Sequence, residues 1–517
     1  MSIALLLLTG LIGIQQDKPP SADEIMQRVR QAMNFSLEKI PEAGLILEGK
    51  YISGSGIRGK IRIHFNRQGH FLQQKDSVLG TTLFGYDGKD VWEKDYDGAS
   101  DLLEPSKPRL SLLWGVLNSG LWIDKSSGMT FTFAKDLALP DQYLLQFSHE
   151  LSQLTGTISI DKKSLLPQKC KFTVEGEYWT ITWNETLSYE GMKLPRNIEI
   201  AIIAAGDTKH SHQWDSATAA TKTSDNPFRP QISPPTNVTF DASKTALLEV
   251  KKSNSGDLLV RPLVNGQDVG WFLLGSGTAG NVLHVRTAKK LGLDTYGEAE
   301  LRAVGGKVKA YWSRPKTISL GRMILHDPLV FNKELSEELD DASGVPIAGI
   351  IGQGTFRCSV IELDYVTSQV ALYDPKTYEQ ERGKKNWQKL HVSRVLGVEA
   401  EFEGHKGVFY LTYIPTNMVS FHSPAVKKMN LLEGRELKDI INRGGELAAK
   451  TGKLKYFEIG GHRHEDVAAL FHTSETGPSS DHGTIGSIGV ELLKPFQIVF
   501  DYQNRRIAFV KRDAKVP

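Results

Sequence analysis

The feature that most constrains this chain is an internal repeat in its second half. Aligning Gly270-Trp-Phe-Leu-Leu with Gly407-Val-Phe-Tyr-Leu sets a numbering offset of 137 (407 − 270). The same offset carries Val282 to Val419, Asp364-Tyr365 to Asp501-Tyr502, and Ala371 to Ala508. Anchors that recur in one order at one spacing are typical of a duplicated unit. The sequence therefore predicts that residues 247–511 form two lobes with the same plan.

Each predicted lobe contains short apolar segments separated by glycine turns. The motif Gly-Ile-Ile-Gly at 349–352 is matched by Gly-Thr-Ile-Gly at 483–486. Apolar runs follow at 360–365 and 498–502. Short apolar runs bounded by turn residues indicate buried strands. We therefore expect both lobes to be all-β.

The segment from Gly270 to Leu283 reads as an apolar strand, a loop of small residues and a second apolar strand. This layout resembles the bacterial aspartyl-protease family related to retroviral and pepsin-like enzymes, in which each all-β lobe contributes one Asp-Thr-Gly loop. The resemblance extends from Leu247 to Lys511 and implies a two-lobe pepsin-like acid-protease fold. It places the family's first catalytic position on Gly275 and the second on Thr412.

Neither of these two residues carries the carboxyl group that the family's chemistry requires. Two carboxylates about 3 Å apart share one proton, so that one acts as a base and the other as an acid. No Asp or Glu lies between Val269 and Arg286, or between Lys406 and Leu431, to replace them. We therefore predict a non-catalytic pseudo-aspartic peptidase.

The inherited cleft is then expected to bind a ligand. The residues expected to contribute to binding follow the two lost catalytic positions: Ser276, Gly277, Thr278, Tyr413 and Thr416. The ligand classes considered are a peptide, a lipid and another envelope component, and no cofactor is expected. The alternative is an active aspartyl-protease-family hydrolase that acts on peptides with non-standard residues.

The second loop departs furthest from the family pattern. Tyr413 stands where the family has a small hydroxyl residue, and Ile414 stands where it has glycine. Ile414 is β-branched and Pro415 fixes φ near about −65°, so a close approach of the two loops is disfavoured. We expect a rebuilt loop at this position.

Residues 21–203 show a leading helical pattern followed by short alternating strands, as in Gly59-Lys-Ile-Arg-Ile-His-Phe65. Three phrases resemble the outer-membrane lipoprotein-carrier-like half-barrels: Gly85–Trp92, Ile160–Gln168 and Tyr189–Pro195. The resemblance implies a helix packed on a curled antiparallel sheet, with a concave apolar face that could hold a lipid tail or an apolar peptide. The whole chain is thus expected to be mainly β.

The first residues, Met1 to Ile14, form an apolar run of the length of a signal-peptide core. The sequence predicts a signal peptide at 1–20, the half-barrel at 21–203, a linker at 204–246, and lobes at 247–388 and 389–517. We expect an exported, periplasmic or extracytoplasmic protein without an integral span in its mature form. Net charge is +2, which gives no electrostatic reason to expect nucleic acid as a partner. The oligomeric state is left open.

Several other residues could carry chemistry, and each has a simpler interpretation. Cys170 and Cys358 are interpreted as buried thiols, and His210 and His212 as solvated residues of the linker rather than metal ligands. Ser276 as a nucleophile lacks the strand-turn-helix context. The histidines and carboxylates of 461–466 are expected to form a polar turn, and Gly305-Gly306 and Gly444-Gly445 to correspond to flap turns.

Overall fold

The computed structural model describes residues 20–511 except 104–109, 134–138, 175–176, 204–207, 223–224, 276–277, 279, 304–305, 393–395, 412–418, 442–446, 475–477 and 481–482. Strands dominate these ranges, and the predicted mainly-β fold class is confirmed. Within the same ranges, every helix is too short or too polar to cross a membrane.

The N-terminal part is a 13-stranded antiparallel sheet with two helices on one face. Its strand order is β6-β5-β4-β3-β2-β1-β13-β12-β11-β10-β9-β8-β7. We call this part the half-barrel. Its elements are α1 (Ala22–Ala32), β1 (Leu45–Ile52), β2 (Arg58–Phe65), β3 (Phe71–Ser77), β4 (Gly80–Tyr86), β5 (Val91–Lys94), β6 (Ser100–Leu102), α2 (Leu110–Ser119), β7 (Met129–Phe133), β8 (Gln142–His149), β9 (Leu154–Asp161), β10 (Pro167–Val174), β11 (Glu177–Tyr189), β12 (Met192–Ile203) and β13 (Thr208–Ala219).

The two helices fill the inner face of the half-barrel. Helix α1 begins with a capping box formed by Ser21 and Glu24, which satisfies free N–H groups of its first turn. Its buried Ile25 and Val29 pack in the same core as the inward side chains of the strands and the apolar face of α2. A cavity of about 60 Å³ remains, lined by Phe71 and Val116 among others.

The predicted linker at 204–246 is wrong for two segments. Strand β13 pairs along its length with β1 and β12 in the middle of the half-barrel sheet. The segment Val238–Phe240 pairs with a strand of the first lobe. The interpretation of His210 and His212 as solvated is wrong as well, since His212 is 2% exposed. Strand β13 is hard to recognise from local sequence because its partner β1 is distant in the chain: β1 is the first of the thirteen strands in chain order, and β13 is the last.

The first lobe contains a five-stranded and an eight-stranded sheet. Its elements are β14 (Val238–Phe240), β15 (Val250–Lys252), β16 (Leu258–Val260), β17 (Leu263–Val264), β18 (Gln267–Asp268), β19 (Trp271–Leu274), β20 (Asn281–His284), α3 (Val285–Lys290), β21 (Tyr296–Ala303), β22 (Gly306–Ser313), β23 (Thr317–Leu320), β24 (Met323–His326), β25 (Val330–Lys333), α4 (Glu337–Ser343), β26 (Ile347–Ile351), α5 (Gln353–Phe356), β27 (Val360–Asp364), β28 (Gln369–Tyr373) and α6 (Tyr378–Arg382).

The second lobe repeats the strand pairings that frame the loop after β19. Its elements are β29 (Gln388–His391), β30 (Gly397–Phe402), β31 (His405–Leu411), β32 (Val419–Phe421), α7 (Ser423–Lys428), β33 (Lys438–Ile441), β34 (Leu447–Ile459), β35 (His462–His472), β36 (Gly486–Ile488), α8 (Val490–Leu493), β37 (Phe496–Asp501) and β38 (Arg506–Lys511). Strand β19 runs parallel to β26 as β31 does to β36, and β20 is antiparallel to β26 as β32 is to β36.

The two lobes meet at their terminal hairpins. Strands β28-β27-β37-β38 are neighbours in one sheet, and β27 and β37 are buried along most of their length. Glu362 lies opposite Val499, and these two positions differ by the repeat offset (499 − 362 = 137). Val360 pairs with Asp501, and Asp364 pairs with Gln497. A twofold rotation about the central pair therefore exchanges positions that are related by the repeat.

The half-barrel docks on the first lobe through the turn between β5 and β6. Arg357, directly after α5, is ion-paired with Asp95 and with Asp97, the latter at 2.8 Å between Nη2 and Oδ2. Asp97 also accepts a hydrogen bond from the N–H of Leu329 at 3.2 Å. Burial raises the pKa of Asp97, and the charge of Arg357 opposes that shift. The contact is a partly buried charge cluster between the two parts of the chain.

Candidate functional site

The first loop of the family pattern begins directly where β19 ends. Gly275 is buried, its N–H donates to the carbonyl of Ile351 at 2.9 Å, and its carbonyl accepts from the N–H of Thr278 at 3.2 Å. A Cβ atom built on Gly275 would lie 3.3 Å from Cγ2 of Ile350 and 3.7 Å from Oγ1 of Thr278. The position thus has room for a side chain after a small adjustment of Ile350.

A network of hydrogen bonds fixes this loop from the other side. Oδ1 of Asn281, which is 2% exposed, accepts from the N–H of Gly352 at 3.0 Å and from Oγ1 of Thr355 at 3.1 Å. The N–H of Gln353 donates to the carbonyl of Thr278 at 2.9 Å. We call Asn281, Gly352 and Thr355 the polar brace. Asn281 was not recognised from the sequence, because the family pattern that guided the interpretation centres on residues 275–277.

Gly352 is required by the close approach of backbone to backbone in this network. A Cβ atom at this position would lie 2.2 Å from the carbonyl oxygen of Gly280 and 2.7 Å from that of Thr278. Such distances are far below van der Waals contact, so the motif Gly-Ile-Ile-Gly cannot accept a side chain at its last glycine without moving the loop. The predicted glycine motif therefore has a steric cause.

The second loop lies outside the described residues, and so do Thr412, Tyr413 and Thr416, together with Ser276 and Gly277 of the first loop. Of the predicted binding residues only Thr278 is described, and it is partly exposed. The distance between Gly275 and Thr412 therefore stays a prediction.

The strands around the second loop correct two details of the repeat. Leu273 pairs with Ile350 as Tyr410 pairs with Ser487, so Gly349 corresponds to Gly486 (486 − 349 = 137), and the match of 349–352 to 483–486 is wrong by three positions. In the first lobe Val282 pairs with Ile350, and in the second Ser420 pairs with Ser487, the repeat equivalent of Ile350 (487 − 350 = 137). Val282 therefore corresponds to Ser420, and the match to Val419 is wrong by one position. The reason is loop length: seven residues separate β31 from β32, whereas six separate β19 from β20. The same shift aligns His284 with His422, and each precedes a short helix.

Acidic side chains do not converge on the described part of the site. Across the described ranges the buried acidic residues are Asp257, Glu362, Asp364 and Asp501. Asp364 accepts from the N–H groups of Val366 and Thr367, so it stabilises the turn after β27. Asp501 similarly binds Asn504 in the turn after β37, and Glu362 is paired with Arg382 at 3.0 Å.

Asp257, the remaining buried acid, has a local partner. So does Asp268, the acidic residue that most closely precedes the loop after β19 in the sequence. Asp257 accepts from Oγ of Ser255 at 2.6 Å. Asp268 is exposed and paired with Arg261 at 2.7 Å, and this hydrogen bond lowers the pKa of Asp268. These carboxylates are held by turns, strands and surface pairs, so none of them is aimed at the loop after β19.

The first of the two expected flap turns falls at the tip of the hairpin of β21 and β22, and the second, Gly444-Gly445, lies outside the described residues. The predicted tip of this hairpin at Gly305 lies outside the described residues, whereas Gly306 pairs with Ala303 at its end. The N–H of Glu298 donates to the carbonyl of Ser55 at 2.8 Å, which ties the base of the hairpin to the β1–β2 turn of the half-barrel. This contact joins two parts of the chain that the sequence treats as separate.

Other predicted candidates are also located. The expected polar turn at 461–466 is wrong: the turn falls on Gly460 and Gly461, which have positive φ, and the histidines and carboxylates lie in strand β35, paired with β34. No group of three or more potential metal ligands is found in the described ranges. Both cysteines are buried free thiols, as predicted, and burial raises the pKa of Cys358 to about 12.

Comparison with known proteins bears on both parts of the chain. Residues 260–355 match the family model described as aspartyl protease. A search of curated proteins finds no match. Both sequence resemblances recur among the solved structures that match.

Three of these structures show the extent of the likeness. A LolA superfamily protein from Nitrosomonas europaea is 10% identical with a TM-score of 0.30, covering 40% of this chain and 96% of its own. A DUF1329 family protein from Desulfovibrio piger is 11% identical with a TM-score of 0.29, covering 40% and 97%. A retropepsin-like aspartic protease from Rickettsia conorii is 13% identical with a TM-score of 0.19, covering 24% and 94%.

Proposed function

We propose that this chain is an exported, non-catalytic relative of the aspartic peptidases that binds its partner without cleaving it. The observation that carries the proposal is Gly275 at the family's first catalytic position. The loop around it keeps its hydrogen bonds to Ile351 and Thr278, and there is space for a side chain beside Ile350. The scaffold therefore remains while the carboxyl group is missing.

The known chemistry of such sites supports loss of activity. General acid–base catalysis contributes a factor of about 100 to 10,000 for each proton transfer, and it needs a group that can exchange a proton. Glycine and threonine do not supply one near neutral pH. The buried carboxylates that are described bind turns and neighbouring strands. A substitute base from these groups would have to leave its structural partners.

We further propose three units: the half-barrel, extended to Ala219; the first lobe at 247–388, to which the strand Val238–Phe240 is added; and the second lobe at 389–517. Export is supported by the apolar run of residues 1–14. The partner is an extended peptide, with a lipid or another envelope component as the alternative, because the peptidase scaffold has a cleft suited to peptides and the inner face of the half-barrel is filled by α1 and α2.

The test is a cleavage assay with the purified full chain. Unfolded casein and mixed peptide libraries are incubated at acid and at neutral pH, and fragments are detected by mass spectrometry. We expect no fragments above those of a blank preparation, and no thermal stabilisation by pepstatin-type inhibitors, which place a hydroxyl between two carboxylates.

A matched pair of variants guards this assay against contaminating proteases. Thr278→Ala changes a residue of the loop after β19. Its control, Thr239→Ala, changes an exposed residue of β14. Cleavage that survives purification, is lost in Thr278→Ala and is retained in Thr239→Ala would overturn the proposal.

A further inference from the structure

The inner face of the half-barrel carries a cluster of polar side chains at one end. Lys75 lies on the same face of β3 as the buried Phe71 and Gln73, since alternate residues share a face. Tyr51 of β1 lies directly opposite His212 of β13. His210 is two residues earlier on the same face of β13. We call Lys75, Tyr51, His210 and His212 the basic cluster.

The lysine reaches toward Tyr51 across a strand that has no side chain at this point. Gly59 of β2 is opposite Tyr51, and a Cβ atom there would lie 2.6 Å from Cε1 of the tyrosine ring. The ring can therefore lean over β2, and Nζ of Lys75 lies 5.2 Å from its centroid. A cation over an aromatic face is attracted to the ring, but the ring does not neutralise the charge.

The positive charge of the cluster has no carboxylate partner in the described part of the chain. Burial lowers the pKa of Lys75 to about 8, so its ammonium is largely protonated at neutral pH. Burial lowers the pKa of His210 to about 4, and the charge of Lys75 contributes to this shift. The pKa of His212 is lowered by the same two causes. The two imidazoles are therefore neutral and do not offset the ammonium charge.

A buried donor next to the cluster also has no partner. Asn118 at the end of α2 is 1% exposed, and its Oδ1 lies 3.4 Å from Nδ1 of His212. Its Nδ2 makes no hydrogen bond to the described residues. An unpaired buried donor is destabilising, so such groups usually have a ligand or ordered water as partner. Lys75 and His210 are partly exposed, which leaves an approach from solvent.

Two simpler interpretations fit these contacts less well. A metal ion on His210 and His212 is disfavoured by the adjacent ammonium of Lys75. If Lys75 were purely structural, its desolvated charge would have only an aromatic ring as partner. A methionine could fill the same space without the cost of burying an unpaired charge. An oxyanion satisfies both the charge and the unpaired donor.

We propose that the basic cluster binds a phosphate-type oxyanion, with Lys75 as the charged ligand and Nδ2 of Asn118 and Nε2 of His210 as neutral donors, while His212 orients Asn118 by donating from Nδ1 to its Oδ1. The anion is either free phosphate or the headgroup of an anionic phospholipid. The site lies beside the β1–β2 turn, where the N–H of Gly54 donates to Nδ1 of His210 at 3.0 Å. This inference goes beyond the proposed function, because it concerns the half-barrel and holds whether or not the lobes cleave peptides.

The test is calorimetric titration of the full chain with inorganic phosphate at constant ionic strength. Parallel samples receive vesicles of phosphatidylglycerol or, as the zwitterionic control, phosphatidylcholine. Lys75→Met removes the charge, Lys75→Arg retains it, and Lys171→Met removes a matched exposed lysine from the outer face of β10. Thermal unfolding of each variant verifies that it is folded.

We expect Lys75→Met to weaken phosphate binding by about tenfold or more, since charge-assisted hydrogen bonds are the strong ones. Lys75→Arg should bind within a few-fold of the unmodified chain, and Lys171→Met should bind equally well. Binding of phosphatidylglycerol vesicles alone, lost in Lys75→Met, would support the proposal and identify the headgroup as the source. Equal binding by Lys75→Met, or no binding of either probe by the unmodified chain, would overturn it.

Discussion

The two lobes share their strand pairings. They differ in the residues available to stabilise the loop between β19 and β20 in the first lobe and between β31 and β32 in the second. In the first lobe the polar brace of Asn281, Gly352 and Thr355 fixes a six-residue loop. The corresponding residues of Asn281 and Thr355 in the second lobe are Val419 and Leu492, so an equivalent brace is not available there. The loop there is one residue longer.

This difference shows that strand pairing can be shared by the two lobes while the contacts of the loops differ. Pairing of buried strands depends on apolar packing, which tolerates many sequences of the same pattern. A catalytic pair needs positions held to within about 0.5 Å, so it depends on specific contacts around each loop. At the family's two catalytic positions the first lobe has Gly275, and the second has Thr412 in a loop that is one residue longer.

The largest expected effect comes from rebuilding the second loop. Gly275→Asp with Thr412→Asp should fold and remain inactive, because we expect Tyr413, Ile414 and Pro415 to prevent the loop from adopting the family geometry. Replacing 412–416 by Asp-Thr-Gly-Ala-Thr and deleting Asn417 restores the six-residue length of the first lobe (7 − 1). Together with Gly275→Asp, this graft should give measurable cleavage of peptides at acid pH. Appreciable turnover by the simple double variant would contradict this expectation.

The next effect concerns the contact that the first lobe makes with the half-barrel. Arg357→Met leaves Asp95 and Asp97 without their main cation, and the side chain of Asp97 is only 12% exposed. Removing one partner of a buried pair costs about 3–5 kcal/mol, although Arg314, 3.7 Å from Asp97, reduces this. We expect an unfolding free energy lower by about 3 kcal/mol in urea titrations.

The control for this prediction is Arg463→Met on the surface of the second lobe. Arg463 is paired with Glu465, and both side chains are more than half exposed. The urea midpoint for unfolding of Arg463→Met should stay close to that of the unmodified chain. If Arg357→Met and Arg463→Met had equal midpoints, the charge cluster would not hold the half-barrel on the first lobe.

A smaller effect separates the two glycines of the first loop. Gly352→Ala would place a Cβ atom 2.2 Å from the carbonyl oxygen of Gly280, and we expect a loss of about 2–3 kcal/mol from the resulting shift of the loop. Gly275→Ala meets only Cγ2 of Ile350 at 3.3 Å, so its cost should be below about 1 kcal/mol. Differential scanning calorimetry of both variants measures the contrast, and a larger cost at Gly275 would show that this glycine is kept for steric reasons.

The sequence predicted the parts of the fold that depend on local pattern. Apolar periodicity and glycine turns identified the lobes, and the offset of 137 is the one that relates Glu362 to Val499. Local pattern did not predict β13. Its Ala/Thr/Ser-rich segment is typical of a linker, and it forms a strand by pairing with β1, which is distant in the chain.

The candidate site was predicted less completely than the fold. The missing carboxyl at Gly275 is visible in the sequence, whereas the polar brace and the basic cluster each join residues from strands that are far apart in the chain. The shift to an offset of 138 at β32 was missed because Val282 and Val419 have identical side chains. Strand register, rather than residue identity, decides such a match.

The most direct test of the central claim is proteolysis in water enriched in heavy oxygen. Hydrolysis of a peptide bond adds one water oxygen to the new carboxyl terminus, so each cleavage event leaves a mass label. We predict that the purified chain, incubated with unfolded casein at acid and neutral pH, produces no labelled termini above a blank, while the grafted variant produces them. Labelled termini that increase with the amount of unmodified chain and disappear in Thr278→Ala would contradict the account.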